Sequence, residues 1–234
     1  MIIDAHTHIN CDELYQERKE IIQRAIDNKV VAVFNTADSL NSFKNIDILQ
    51  KEYPNYCYGV YGIHPEFASS TNFTEVEEEI IKRKNIIKAI GEIGLDYHYP
   101  INETEKNNQK DIFISQICLA KKLNLPIVIH SRDADKDTFD ILCQYAQDMK
   151  VYLHCYSGSY EMAKEYIKKI PNIHFGVGGI VTFKNAKKLV EVVEKIELKY
   201  FLTETDAPYL TPVPFRGKQN EPSYLIYVIN KISE

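Results

Sequence analysis

The chain has 234 residues, of which 44% are hydrophobic and 26% charged, and a net charge of −5 at pH 7. This length suits one barrel-sized domain, so residues 1–234 are read as a single domain. The acidic balance excludes a protein that grips nucleic acid by overall positive charge; a polyanionic substrate would need local cations or a metal.

The five cysteines, Cys11, Cys57, Cys118, Cys143 and Cys155, are odd in number and form no C-x-x-C pair. That pattern disfavours a disulfide framework or a zinc knuckle and fits a reducing cytoplasm. Asp4 and His6 interrupt the N-terminus before any leader-like apolar run, and no stretch approaches the ~18 apolar residues of a membrane helix. A cytoplasmic chain without membrane contact is expected, with a monomer favoured.

In chain order, apolar β-branched runs predict strands at 2–6, 30–36, 57–64, 86–96, 126–131, 151–157, 173–179 and 201–207. Helical spacing lies between them. Residues 12–28 set Leu14, Ile21, Ala25 and Ile26 on one face, and 103–123 do so with Ile112, Phe113, Ile117, Ala120 and Leu123. Residues 160–169 and 183–197 are similar. The run 211–222 reads as an ordered proline-containing loop before a last helix. Strands alternating with helices imply a parallel sheet, and eight such units imply an α/β fold of the (β/α)8 TIM-barrel type. A doubly wound open sheet is the rival, but the turn after the first strand carries histidines where a glycine-rich phosphate loop would stand.

A barrel places its active site at the C-terminal ends of the strands. His6 and His8 close the first strand; residues two apart share a face, so their imidazoles lie side by side. Imidazole is the commonest metal ligand. Glu92 lies in the fourth strand, and His64, His130, His154 and Asp206 fall at or near other strand ends. Five of the seven histidines thus gather at one end of the fold.

The series IIDAHTHIN (2–10), GIHP (62–65), GEIGLD (91–96), HSR (130–132), HCYSGS (154–159), ETDAPYLTP (204–212) and RGKQNEP (216–222) resembles, in order and from end to end, the TatD family of metal-dependent deoxyribonucleases. The resemblance implies a barrel with two divalent cations, Mg, Mn or Zn, and DNA as substrate. His6 and His8 would bind one cation and Asp206 would complete it. His130 and His154 would bind the second, and Glu92 would bridge both. Asp206 is also expected to take the proton of the attacking water. Hydrolysis of a carbonyl ester or amide, such as an aminoacyl ester on tRNA, is the enzymatic alternative. A non-catalytic metal-binding module is the third.

Among neighbouring residues, His64 is expected to contact phosphate or the leaving oxygen, or to support the site from behind. Arg132 is expected either to clamp phosphate or to be a surface arginine at a helix start. Glu204 shares a face with Asp206 and would touch substrate, orient a ligand or equally stand as a buried structural carboxylate. Asp96 would shape the loop after the fourth strand, and Asp4 would support from below. His174, opening the seventh strand, belongs to the opposite face; His98 reads as a solvated loop residue. By strand parity Cys155 should point away from His154. Tyr97, Tyr156 and Tyr209 are candidates to stack on bases. Family members continue for some twenty residues beyond position 234, so the last helix reads as shortened, with Leu225, Ile226 and Ile229 poorly covered.

Overall fold

The protein is described by a computed structural model over residues 2–234. Its strands are β1 (Ile2–Thr7), β2 (Val30–Thr36), β3 (Cys57–Tyr61), β4 (Ile87–Asp96), β5 (Ile127–Arg132), β6 (Val151–Leu153), β7 (Ile173–Val177) and β8 (Phe201–Thr203). They pair in sequence order, all parallel, from β1 to β8. The seam between β8 and β1 is closed mainly above the strands, where Asp206 N donates to His6 O at 3.0 Å and His8 N to Ala207 O at 2.8 Å. Lower on the seam, the buried Asp4 carboxylate accepts from Thr205 N (2.9 Å) and Thr205 Oγ1 (2.5 Å). Burial pushes its pKa up to about 7. This is the TIM barrel expected.

Helices cover the outside: α1 (Asp12–Tyr15), α2 (Arg18–Asp27), α3 (Leu40–Glu52), α4 (Phe73–Lys82), α5 (Glu103–Leu123), α6 (Asp135–Tyr145), α7 (Tyr160–Lys169), α8 (Lys187–Lys195) and α9 (Leu225–Ile232). Helix α5 starts from a reciprocal capping box between Asn102 and Glu105, which satisfies two backbone N–H groups at its first turn. Its Phe113, Ile117 and Ala120 pack with Ile90 and Ile93 of β4. Inside the barrel, below the mouth, an apolar layer is built from Ala5, Phe34, Val60, Ala89, Val128 and Tyr152.

Several sequence expectations are corrected. The stretch 12–28 is two helices, not one. The break at 16–17 resets the helical phase, so Ile22 is buried while Ile26 is 45% exposed. The predicted helix at 183–197 begins only at Lys187, after a short 3-10 turn at Gly179–Thr182. Strand β3 stops at Tyr61, because Pro65 opens a 3-10 turn (Pro65–Ser70) that His64 caps. Strands β6 and β8 stop at Leu153 and Thr203, four residues short of the expected limits. Leu225 is fully buried: it packs with Val177, Val181, Leu189 and Val228, and Ile229 leans on the same cluster.

The proline-containing segment before α9 is ordered as expected. Asn220 Nδ2 donates to Thr205 O (2.8 Å) and Tyr209 O (2.7 Å), tying it to the loop after β8. Among the described residues no helix is long and apolar enough to cross a membrane.

Candidate metal centre

The end of β1 delivers His6 and His8 as parity requires. Their Nε2 atoms lie 3.0 Å apart. Glu92 Oε2 is 3.4 Å from His6 Nε2 and 3.7 Å from His8 Nε2; Asp206 Oδ1 is 3.6 and 3.5 Å from the same two atoms. Donors about 2.1 Å from one tetrahedral ion would be separated by about 3.4 Å, so the edges among His6, His8 and Asp206 suit a single cation. His8 Nδ1 donates to Thr36 O at 2.9 Å, which leaves Nε2 with its lone pair facing inward.

The second set uses the other oxygen of the same carboxylate. Glu92 Oε1 lies 2.8 Å from His130 Nδ1 and 2.8 Å from His154 Nε2. The outer nitrogens of these two rings each face a further carboxylate. His130 Nε2 pairs with Asp96 Oδ2 at 3.0 Å. His154 Nδ1 faces Glu204 Oε2 at 3.5 Å without closing a hydrogen bond, and His6 Nδ1 is likewise buried without a partner. The inward-facing nitrogens and the two carboxylates concentrate lone pairs that a divalent cation satisfies. Among the described residues three groups lie closely enough to hold an ion: His6, His8 and Asp206; His6, Glu92 and His154; and His64, Asp96 and His130, so that His130 groups with Asp96 and His64 as well as facing Glu92.

The charges explain one another. Burial alone would raise the pKa of Glu92, but His154, His6 and His130 hold it well below the usual carboxylate range. Burial would lower His154, yet Glu92 and Glu204 push it well above an ordinary imidazole. His8 and His130 are raised in the same way against burial, by Asp206 and Glu92 for the first and by Asp96 and Glu92 for the second. His6, with burial and then the His154 charge against it, is lowered.

His64 Nε2 reaches to 3.8 Å from Glu92 Oε1. Burial lowers its pKa to about 4, so it is neutral at pH 7. Its Nδ1 accepts the N–H of Glu66 at 3.3 Å, which assigns the proton to Nε2. The ring therefore offers the centre a donor rather than a lone pair. Asp96 does shape its loop, because Oδ1 accepts from His98 N at 2.9 Å. Its bond to His130 was missed. The signal was present, since positions 92 and 96 share a strand face.

Arg132 is exposed and forms no ion pair among the described residues. Its guanidinium lies 5.8 Å from the ring centre of Tyr99. Glu204 does not face the mouth as a substrate contact would. It is fully buried, accepting from Tyr152 Oη (2.5 Å) and Cys155 N (2.6 Å) beneath His154. Cys155 does not obey strand parity, because the strand has ended. Its φ of +47° and the +56° of Asp206 lie in the left-handed region, which costs energy for a residue with a side chain. Tyr156 is buried with Oη on Ser159 O, and Tyr97 is tied to Asp137, so neither presents a free face. Tyr209 is 54% exposed with its ring 6.3 Å from that of His8. Tyr99, not selected from the sequence, is 56% exposed at the mouth. His98 pairs with Asp133 at 2.8 Å in the adjoining loops, and His174 sits second in β7, away from the site.

Two glycines set the height of the central carboxylate. A methyl on Gly62 would fall 2.8 Å from the Gly91 backbone, and one on Gly91 would fall 2.6 Å from Val128 Cβ. The strands beside Glu92 thus meet backbone to backbone. Gly94, at φ +145°, lets β4 pass directly over His130 O.

A parallel eight-stranded barrel with imidazoles and carboxylates gathered over its C-terminal end is the architecture of a metal-dependent hydrolase. Comparison with known proteins sharpens this. Residues 3–234 match the family model described as TatD related DNase, and the chain belongs to that family. It is 41% identical over 238 residues to the uncharacterized metal-dependent hydrolase YabD of Bacillus subtilis, covering 100% of this chain and 91% of the relative. It is 33% identical to the uncharacterized metal-dependent hydrolase TatD of Mycobacterium tuberculosis, covering 100% of this chain and 89% of that protein. The crystal structure of YjjV, a TatD homologue from Escherichia coli K12, superposes with a TM-score of 0.89 at 26% identity over 99% of this chain and 88% of that one. An organophosphorus hydrolase from Deinococcus radiodurans shares the fold at 10% identity, with a TM-score of 0.60 over 88% of this chain and 75% of that one.

Proposed function

We propose that the chain hydrolyses phosphodiester bonds in DNA at a centre of two divalent cations, Mg, Mn or Zn. The observation that carries this reading is the division of Glu92: Oε2 faces His6, His8 and Asp206, while Oε1 faces His130 and His154. One carboxylate shared between two donor sets would let Glu92 hold two cations together, with His6, His8 and Asp206 on one and His130 and His154 on the other, as two-metal phosphoesterases do. When bound, such ions supply Lewis acidity, lowering the pKa of water and neutralising charge on phosphoryl oxygens.

The chain's own residues do the rest. Asp206, held as a carboxylate below its usual range by His8 and the neighbouring imidazoles despite burial, accepts the proton of the attacking water. His64 presents its Nε2 proton to a phosphoryl or leaving oxygen. The unpaired guanidinium of Arg132 takes a phosphate oxygen pair, for which its planar fork is suited. Glu92 fixes the two sets relative to each other. Asp96 and Glu204 hold the rings of His130 and His154 from behind.

The test is cleavage of supercoiled and single-stranded DNA by purified protein with Mg, Mn and Zn in turn, alongside metal analysis. Cleavage with two bound ions per chain is expected. No cleavage with any metal overturns the phosphodiester reading, and turnover of aminoacyl-tRNA in its place would identify a carbonyl esterase. A protein that binds no metal at all would overturn the hydrolytic centre itself.

A further inference from the structure

Beside the metal centre lies a cleft of about 210 Å³, its walls including Pro65, Glu66, Asp96, Tyr99, Ile101 and Glu105. Cavities of about 150 Å³ already admit a benzene ring, so this one has room for more than ordered water. It adjoins the site directly. Asp96 lines it with one face and pairs with His130 through the other, and Pro65 and Glu66 follow His64 in the chain. The lining contains no lysine or arginine, so it offers a backbone phosphate no counter-charge. What it offers is the exposed ring of Tyr99 beside the apolar Pro65 and Ile101. A free cation, Arg132, stands over one face of the Tyr99 ring outside the lining, and His98 packs against the same ring at 5.2 Å and 75°, so a base would stack on the opposite face.

The three lining carboxylates are not equivalent. Both oxygens of Asp96 are engaged, by His98 N and His130 Nε2. Glu105 accepts the N–H of Asn102 in the capping box. Glu66 alone is uncommitted to a hydrogen bond, with a half-exposed side chain 3.6 Å from His64 Nδ1. A carboxylate in that position accepts from the N–H groups on a base edge; thymine offers only its single ring N–H, flanked by two carbonyls that an acceptor repels, whereas an exocyclic amine presents donors without that opposition.

We infer that this cleft is a nucleobase subsite: it seats the base of a nucleotide adjoining the scissile phosphate, stacked on Tyr99, with Glu66 favouring the amine-bearing bases adenine, cytosine and guanine over thymine. The inference rests on the phosphodiesterase reading above. The phosphate of the same nucleotide then falls on the Arg132 side of the ring, and the base, not the backbone, enters the acidic cleft.

The experiment compares kcat/KM of the wild type, Tyr99→Phe and Tyr99→Ala on single-stranded oligonucleotides. These carry either normal bases or one abasic residue placed on either side of the scissile bond. Stacking of one base predicts a loss of about five- to hundred-fold for Tyr99→Ala on the normal strand, and near-complete retention for Tyr99→Phe. Wild type should lose a similar factor on one of the two abasic strands, where Tyr99→Ala loses nothing more. Glu66→Ala should narrow the preference for adenine or cytosine over thymine at that nucleotide. Equal losses by Tyr99→Ala on normal and abasic strands overturn the subsite while leaving the nuclease reading intact. A wild type that cleaves no strand with any metal overturns both, and is recognised by the unmodified control.

Discussion

The lower and upper halves of this barrel are made by the same strands and obey opposite rules. Below, Ala5, Phe34, Val60, Ala89, Val128 and Tyr152 fill the interior as a largely apolar layer. Above, His6, Glu92, His130, His154 and Asp206 occupy equally enclosed space with ionisable groups. In β5 the change takes two residues, from Val128 to His130. Burial of apolar surface stabilises the lower half, whereas the upper half removes charges from water and depends on their mutual pairing. Stability and chemistry are therefore separable by height along the strands.

The sharpest break in that comparison is Glu92→Ala. It should lower turnover about 10⁴-fold or more and empty both donor sets, while the metal-free protein stays folded but loses about 3–5 kcal/mol, because the imidazoles that Glu92 pairs with are left uncompensated. Loss of the fold instead would show that the upper half is structural. Asp206→Asn, assayed at saturating metal with ion content measured, should lose about 10²–10⁴-fold in kcat. Wild-type turnover there would sink its role as proton acceptor.

Phe175→Ala probes the apolar framework, since this buried ring packs on Tyr156, Tyr166 and Phe201. Denaturant melts should show a cost of about 3–5 kcal/mol, with kcat per folded molecule unchanged. Glu204→Gln and Asp96→Asn should each weaken metal binding about 10–100-fold by calorimetric titration, with little change in melting of the metal-free protein. The smallest effect expected is that of Arg132→Ala. It should raise KM about tenfold for DNA, leave metal content untouched and reduce the salt dependence of binding.

Much of this was legible because strands impose a two-residue period. The pairing of His6 with His8 follows from parity. Glu92 is picked out by the GEIGLD motif of the family resemblance, because β4 shifts register against β5 between Ile90 and Ile93 and simple alternation does not carry through it. Legibility failed where the last ladder bond ends. Beyond Leu153 and Thr203 the backbone takes left-handed turns at Cys155 and Asp206, and alternation has no hold there. Cys155 was misjudged for that reason. For Glu204 a substrate contact, ligand orientation and a buried structural role stand open together in the sequence, because nothing in its type distinguishes a carboxylate that meets solvent from one spent on Tyr152 and a backbone N–H. The exposure of Tyr99 was likewise invisible, since it depends on which tyrosines the surrounding structure consumes. Tyr156 and Tyr97 were consumed; Tyr99 and Tyr209 were not.

The close approach at Gly62 and Gly91 gives the centre an unusual vulnerability. Every donor side chain could be left intact, and a single added methyl at either position would still wedge β3 from β4 or β4 from β5 and lift Glu92 out of step with both imidazole sets. In this molecule the absence of two small groups is as much a part of the ligand field as the atoms that would touch the ions. A relative that kept all six donors but carried alanine at position 62 or 91 would look competent by inventory and be mistuned in space.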